Sequence, residues 1–170
     1  MVGLVNRPPI EVAHRDGLLR KDQFQVSYVT NDLERAKSTF AERYGIREFA
    51  KLGGPMPDGG TISVAFAWSG GTLYEIIQAE GPKTEFYNRD LPSDRFAIRF
   101  HHLGFLVHDK TAWEQLDREI KQGKWTVAYK SLNSGFMDAY YVEAPELGHY
   151  LEFIYPQQSG VEFFEAVPAN

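Results

Sequence analysis

The sequence has no cysteine, which excludes a disulfide scaffold, a thiolate metal site, an iron–sulfur cluster and cysteine nucleophilic catalysis. It also lacks a basic excess: 18 Lys+Arg stand against 23 Asp+Glu, for a net charge of −5. With no local Lys/Arg cluster to compensate, there is no electrostatic footprint for nucleic acid. No stretch approaches the roughly 20 apolar residues that a membrane helix needs. The first twenty residues lack the apolar run of a secretory signal, so a cytoplasmic location is expected. G-x-S-x-G and H-E-x-x-H motifs are missing. The run GGPMPDGG does not lead from a strand into a helix, which rejects a phosphate loop. What remains is 170 residues, 43% of them hydrophobic and 14% aromatic, enough for one domain with its own core.

Residues 1–22, with Pro8-Pro9 and no periodicity, read as an N-terminal arm. From Gln23 to Val29 polar and apolar residues alternate as in a half-buried strand. Phe24, Val26 and Tyr28 are its apolar face, expected to pack on the helix that follows. Asn31-Asp32 offers the cap of that helix, Leu33, Ala36, Phe40 and Tyr44 its stripe, and Gly45 its stop. A weak strand is expected near Arg47–Leu52. A loop built on Gly53, Gly54, Pro55, Pro57, Gly59 and Gly60 leads to strands at Thr61–Trp68 and Leu73–Gln78. Residues 81–97 read as a linker, after which the pattern restarts. A strand at Phe100–Val107 precedes a helix capped by Asp109 with Trp113, Leu116 and Ile120 as its stripe. Strands follow at Thr126–Ser131, Asp138–Glu143 and Tyr150–Tyr155, and residues 157–170 form a tail. The caps Asp32 and Asp109, Gln25 and His102, and Glu75 and Glu152 are each 77 residues apart. An offset held across cap, first strand and last strand marks a duplicated βαβββ module, residues 23–80 and 98–156, within a domain spanning 23–156. The expected class is α+β.

Residues i and i+2 share a strand face. Gln25 and Ser27 therefore point away from the first helix, and His102 and Gly104 from the second. His101, one residue out of phase, is expected to cap its strand or face the helix. Glu75 in Leu-Tyr-Glu-Ile-Ile and Glu152 in Tyr-Leu-Glu-Phe-Ile place carboxylates mid-strand among apolar neighbours, which is costly unless they are paired or bind a metal. Two modules related by a pseudo-twofold would bring Gln25, Glu75, His102 and Glu152 to one cleft. One imidazole nitrogen and three oxygens suit one divalent ion, Zn, Ni, Co, Mn or Fe(II). Leu73, Ile77, Tyr150 and Ile154 share the faces of the two acids. With the small residues Ser27 and Gly104 they are the candidate substrate-binding residues around an apolar, small-molecule cleft.

The duplicated module with Gln25, Glu75, His102 and Glu152 in these places resembles the vicinal oxygen chelate superfamily of glyoxalases, epimerases, extradiol dioxygenases and bleomycin-resistance proteins. HHLGFLVHD and PELGHYLEFIYP are similar to its uncharacterised glyoxalase-like branch, and the order Gln, Glu, His, Glu to that of glyoxalase I. The resemblance implies an incomplete β-barrel-like cleft and a homodimer. It also implies a metal-dependent lyase or isomerase acting on vicinal oxygens through a metal-bound enolate, with Glu152 or Glu75 as the base. A resistance-type binding protein is the alternative, and an Fe(II) dioxygenase is opposed by Gln25. No clear set of basic residues for glutathione carboxylates accompanies the quartet.

Overall fold

The computed structural model describes residues 17–57 and 59–170. Most of the expected arm, with His14, and the loop residue Asp58 lie outside the described residues. Eight strands form one sheet in the order β2-β3-β4-β1-β5-β8-β7-β6. In the first module these are β1 (Asp22–Thr30), β2 (Ala50–Pro55), β3 (Thr61–Ser69) and β4 (Thr72–Glu80), with α1 (Leu33–Tyr44) after β1. The second module has β5 (Ile98–Leu106), α3 (Lys110–Gln122), β6 (Val127–Asn133), β7 (Met137–Ala144) and β8 (His149–Pro156). Among the described residues there are also two short α-helices, α2 (Glu85–Asn88) and α4 (Gln158–Ala166), and a 3-10 turn at Leu18–Arg20. The class is α+β, as the alternation and caps indicated, and the sheet curls into a half-barrel.

The duplication is visible in the pairing. β1 runs parallel to β4, β5 parallel to β8, and β1 and β5 join the halves antiparallel across the centre. The caps act as the sequence suggests. Asp32 accepts from the Arg35 amide at 3.0 Å and Asp109 from the Ala112 amide at 2.8 Å, each satisfying a donor at a helix start. Gly45 closes α1 in the left-handed region at φ 77°, where a side chain would be strained. Asp109→Ala is expected to cost about 1 kcal/mol in urea denaturation; an unchanged midpoint would deny the cap any role. α1 buries Leu33, Ala36 and Phe40 on one part of the convex face, and α3 buries Leu116 and Ile120 on the other. The concave face holds its own cluster, including Val29, Phe66, Leu73, Ile77, Tyr141 and Ile154.

Several expectations are corrected. Phe24 does not pack on α1. Pairing between β1 and β5 slips between Gln23 and Gln25, so Phe24 occupies a β-bulge and meets Trp68 and Phe164 in the concave cluster. A second slip between Ser27 and Tyr28 leaves His101 as the extra residue on β5. Phe24 and His101 stand 77 residues apart, so both bulges obey the duplication. Gly53–Pro55, expected in a loop, belong to β2. A Cβ on Gly53 would lie 2.4 Å from the Ile62 carbonyl, so glycine permits that close pairing. Residues 47–49 are not strand, because Asn170 Oδ1 takes the Arg47 and Glu48 amides at 2.7 and 2.9 Å.

The expected linker and tail each contain a helix, and the two are related. Glu85-Phe86-Tyr87 and Glu162-Phe163-Phe164 stand at the same 77-residue spacing. Each helix covers the bulge of the other half. Phe164 meets Phe24 edge-on at 5.6 Å, and Tyr87 stacks on His101 at 5.6 Å. The repeated unit therefore extends one helix beyond β4 and β8.

Candidate metal centre

Parallel pairing sets the site. Ser27 is level with Glu75 and Gly104 with Glu152, while Gln25 and His102 lie two residues along the central strands on the same concave face. The four polar residues Gln25, Glu75, His102 and Glu152 are all buried. Glu75, His102 and Glu152 each offer a ligand atom within 4.8 Å of the others and could hold a metal ion.

At the centre, His102 Nε2 lies 2.9 Å from Glu152 Oε2 and 3.1 Å from Glu75 Oε2. Gln25 Nε2 donates to Glu75 Oε2 at 2.8 Å and to Glu152 Oε2 at 3.2 Å, and it lies 3.3 Å from His102 Nε2. Burial opposes a charged His102, but the charges and hydrogen bonds of Glu152 and Glu75 outweigh it and push the pKa up to about 9. Without a metal, an imidazolium thus sits between two carboxylates. Behind it, His101 Nδ1 is 2.8 Å from His102 Nδ1, and His101 Nε2 is 3.1 Å from the Phe86 carbonyl. Burial, followed by the proton on His102, pushes the His101 pKa down to about 3. His101 is neutral across the physiological range.

A cavity of about 700 Å³ opens on Gln25, Glu75 and Glu152. The edge strands β2 and β6 and α4 contribute to its walls through Leu52, Leu132 and Phe164. Of the candidate substrate-binding residues, Ile154 lines it. Leu73 and Ile77 lie in the concave core beside it. Tyr150 borders a separate pocket with Arg89 and His149. Ser27 is fully buried between Glu75 and His102, with its hydroxyl unpartnered. Gly104 leaves no free room, because a Cβ there would lie 2.6 Å from Gln25 Cβ. Its small size admits the Gln25 side chain itself.

Sequence reasoning missed two groups. His101 escaped because the bulge reverses the alternation on which its placement rested. Tyr87, Tyr129 and Tyr141 also line the cavity. Burial, then the charge of Glu152, raises the Tyr141 pKa well above the ordinary phenol, so it stays a hydroxyl beside that acid. Tyr141 is level with Glu152 on β7, whereas Phe66 is level with Glu75 on β3. The two acids therefore differ in one facing hydroxyl.

This architecture is the glyoxalase-like fold. No family model and no curated protein matches the chain, but solved structures do. Methylmalonyl-CoA epimerase from Mycobacterium tuberculosis is similar over 90% of this chain and 98% of its own, with a TM-score of 0.62 and 10% identity. The Streptomyces coelicolor epimerase bound to 2-nitronate-propionyl-CoA covers 80% of this chain and 97% of its own, at TM-score 0.56 and 15% identity. A hypothetical protein from Bacillus halodurans covers 81% of this chain and 96% of its own, at 0.58 and 13%. At such identities the likeness carries the fold alone. No helix among the described residues is long and apolar enough to cross a membrane.

Proposed function

We propose that the chain is a divalent-metal-dependent isomerase or lyase of the glyoxalase-like type, with Gln25, Glu75, His102 and Glu152 as ligands. The observation that carries this is the convergence of two buried acids and one histidine around a glutamine whose Oε1 is buried without a partner. Turning the Gln25 amide over replaces the inward nitrogen by that oxygen. One nitrogen and three oxygens then face one point, a donor set that fits Zn, Ni, Co, Mn or Fe(II). A divalent ion there supplies Lewis acidity toward two adjacent oxygens of a small molecule.

The chain's own groups do the rest. Glu152, loosening as a ligand while it does so, would take the proton from the carbon beside the substrate carbonyl and return it to the product, and Glu75 stands opposite it on the pseudo-equivalent strand. Tyr141 keeps its proton and is placed to donate a hydrogen bond at the same end of the cavity. The walls are largely apolar through side chains such as Met56, Phe66, Phe136 and Ile154.

The cavity chemistry supports a small, largely apolar substrate with one oxygen-rich corner. Lys130 is the one cation lining it among the described residues, and its amine lies over the Tyr140 ring, which packs in the α3 cluster. A nucleotide phosphate or a glutathione carboxylate would meet no inward-facing cation there. Metal-loaded protein should therefore be stabilised in thermal melts by aryl or alkyl α-hydroxyketones and not by a short acyl-CoA. Stabilisation by the acyl-CoA alone would overturn the substrate assignment. The protein is expected to act in the cytoplasm as a homodimer.

A further inference from the structure

The duplicated fold supplies an internal control for His101. Phe24 and His101 are the two bulge residues, and each is covered by an aromatic side chain from the helix beyond the other module. Packing at this position thus needs only an aromatic ring, and phenylalanine meets that need in one half. His101 adds two contacts that phenylalanine cannot make. Its Nε2 is 3.1 Å from the Phe86 carbonyl and its Nδ1 is 2.8 Å from His102 Nδ1.

These contacts have one polarity. A carbonyl only accepts, so His101 Nε2 carries the proton. A ring with its one proton on Nε2 presents Nδ1 as an acceptor, and across the 2.8 Å contact His102 Nδ1–H is then the donor. We propose that His101 is a positioning residue that fixes the His102 tautomer, holding the proton on Nδ1 so that Nε2 is free to bind the metal. The inference rests on the metal reading of the site. The need for such a device is local. Glu152 and Glu75, at 2.9 and 3.1 Å, both favour a proton on His102 Nε2, the tautomer that cannot ligate. The hydrogen bond to His101, anchored on Phe86, opposes them from the other side of the ring. A metal-ligating histidine is ordinarily oriented by such a partner on its second nitrogen.

The test compares wild type, His101→Phe and His101→Asn for zinc affinity by chelator competition and for metal-free thermal midpoint. Nitrogen-15 NMR of the zinc-loaded wild type reads the His102 tautomer. His101→Phe repeats the packing of the other half, so its metal-free midpoint should stay near wild type while zinc affinity falls about 10–100-fold. His101→Asn offers Oδ1 as an acceptor for the Nδ1 proton and should recover part of that loss. The wild-type spectrum should show the His102 proton on Nδ1. Wild-type zinc affinity in His101→Phe would overturn the inference and leave the metal reading standing. A His102 proton on Nε2 in the zinc-loaded protein would overturn the inference and remove His102 Nε2 from the ligand set as well. A wild type that binds no zinc, nickel, cobalt or manganese would remove both.

Discussion

Replacing Glu152 by glutamine is expected to abolish metal binding while leaving the metal-free protein as stable as wild type, or more so. Glu75 and Glu152 both crowd His102 Nε2 in the buried centre, at 3.1 and 2.9 Å. Two acids held that close in a buried site oppose one another's charge. Glu152→Gln keeps the shape and relieves that crowding. The same change deletes one of the proposed anionic ligands. In the wild type, metal at a thousandfold excess over its dissociation constant should add about 4 kcal/mol to the unfolding free energy. The variant should gain almost none. Opposite effects on the two states distinguish a functional centre from a structural ion pair, because breaking a purely structural buried pair costs about 3–5 kcal/mol. Urea denaturation with and without zinc separates them. A variant less stable without metal, yet stabilised by zinc as wild type is, would refute the assignment.

Metal affinity should rise about tenfold for each pH unit between roughly 6.5 and 9. The metal-free centre keeps a proton on His102 up to about pH 9, and the ion must displace it. One unit of displacement is worth about 1.4 kcal/mol. The stability of the metal-free protein follows the opposite course. A histidine whose folded pKa is raised contributes stability that is fully present below its unfolded value, near 6.5, and lost as pH rises through about 9. His101 has its folded pKa lowered to about 3, so its contribution is present above about 6.5 and lost as pH falls toward 3. The two neighbours together should give the metal-free protein greatest stability near pH 6.5. Calorimetric titrations in buffers of different ionisation enthalpy should register about one proton released per metal bound at pH 7. A flat affinity between pH 7 and 9 would mean that the ion does not displace the His102 proton.

The centre was legible where it depends on strand alternation and an unbroken offset. Gln25, His102, Glu75 and Glu152 each sit mid-strand, and the duplication places them by arithmetic alone. Legibility failed where the backbone leaves that register. His101 sits on a bulge, so it turns toward the centre although alternation directs it outward. Tyr141 was hidden by a length difference between the hairpins. Glu75 is level with a residue nine positions earlier and Glu152 with one eleven positions earlier, so the facing residues Phe66 and Tyr141 break the constant offset. The helices α2 and α4 lie in what the sequence presents as linker and tail, because they are short and flanked by prolines. Their shared Glu-Phe-aromatic triplets carry the same 77-residue spacing as Gln25 with His102 and Glu75 with Glu152. Alternation marks an apolar face but not a cavity wall, since Leu73 and Ile77 are buried beside the opening while residues of the edge strands line it.

The most direct measurement is the metal content of the purified protein by elemental analysis, repeated after incubation with zinc, nickel, cobalt or manganese and removal of excess. The wild type should hold about one divalent ion per chain and Glu152→Gln almost none, with a raised thermal midpoint only where the ion is held. A wild type that retains no metal, and whose midpoint none of the four ions raises, would contradict it and leave the cavity as a binding site without a metal centre.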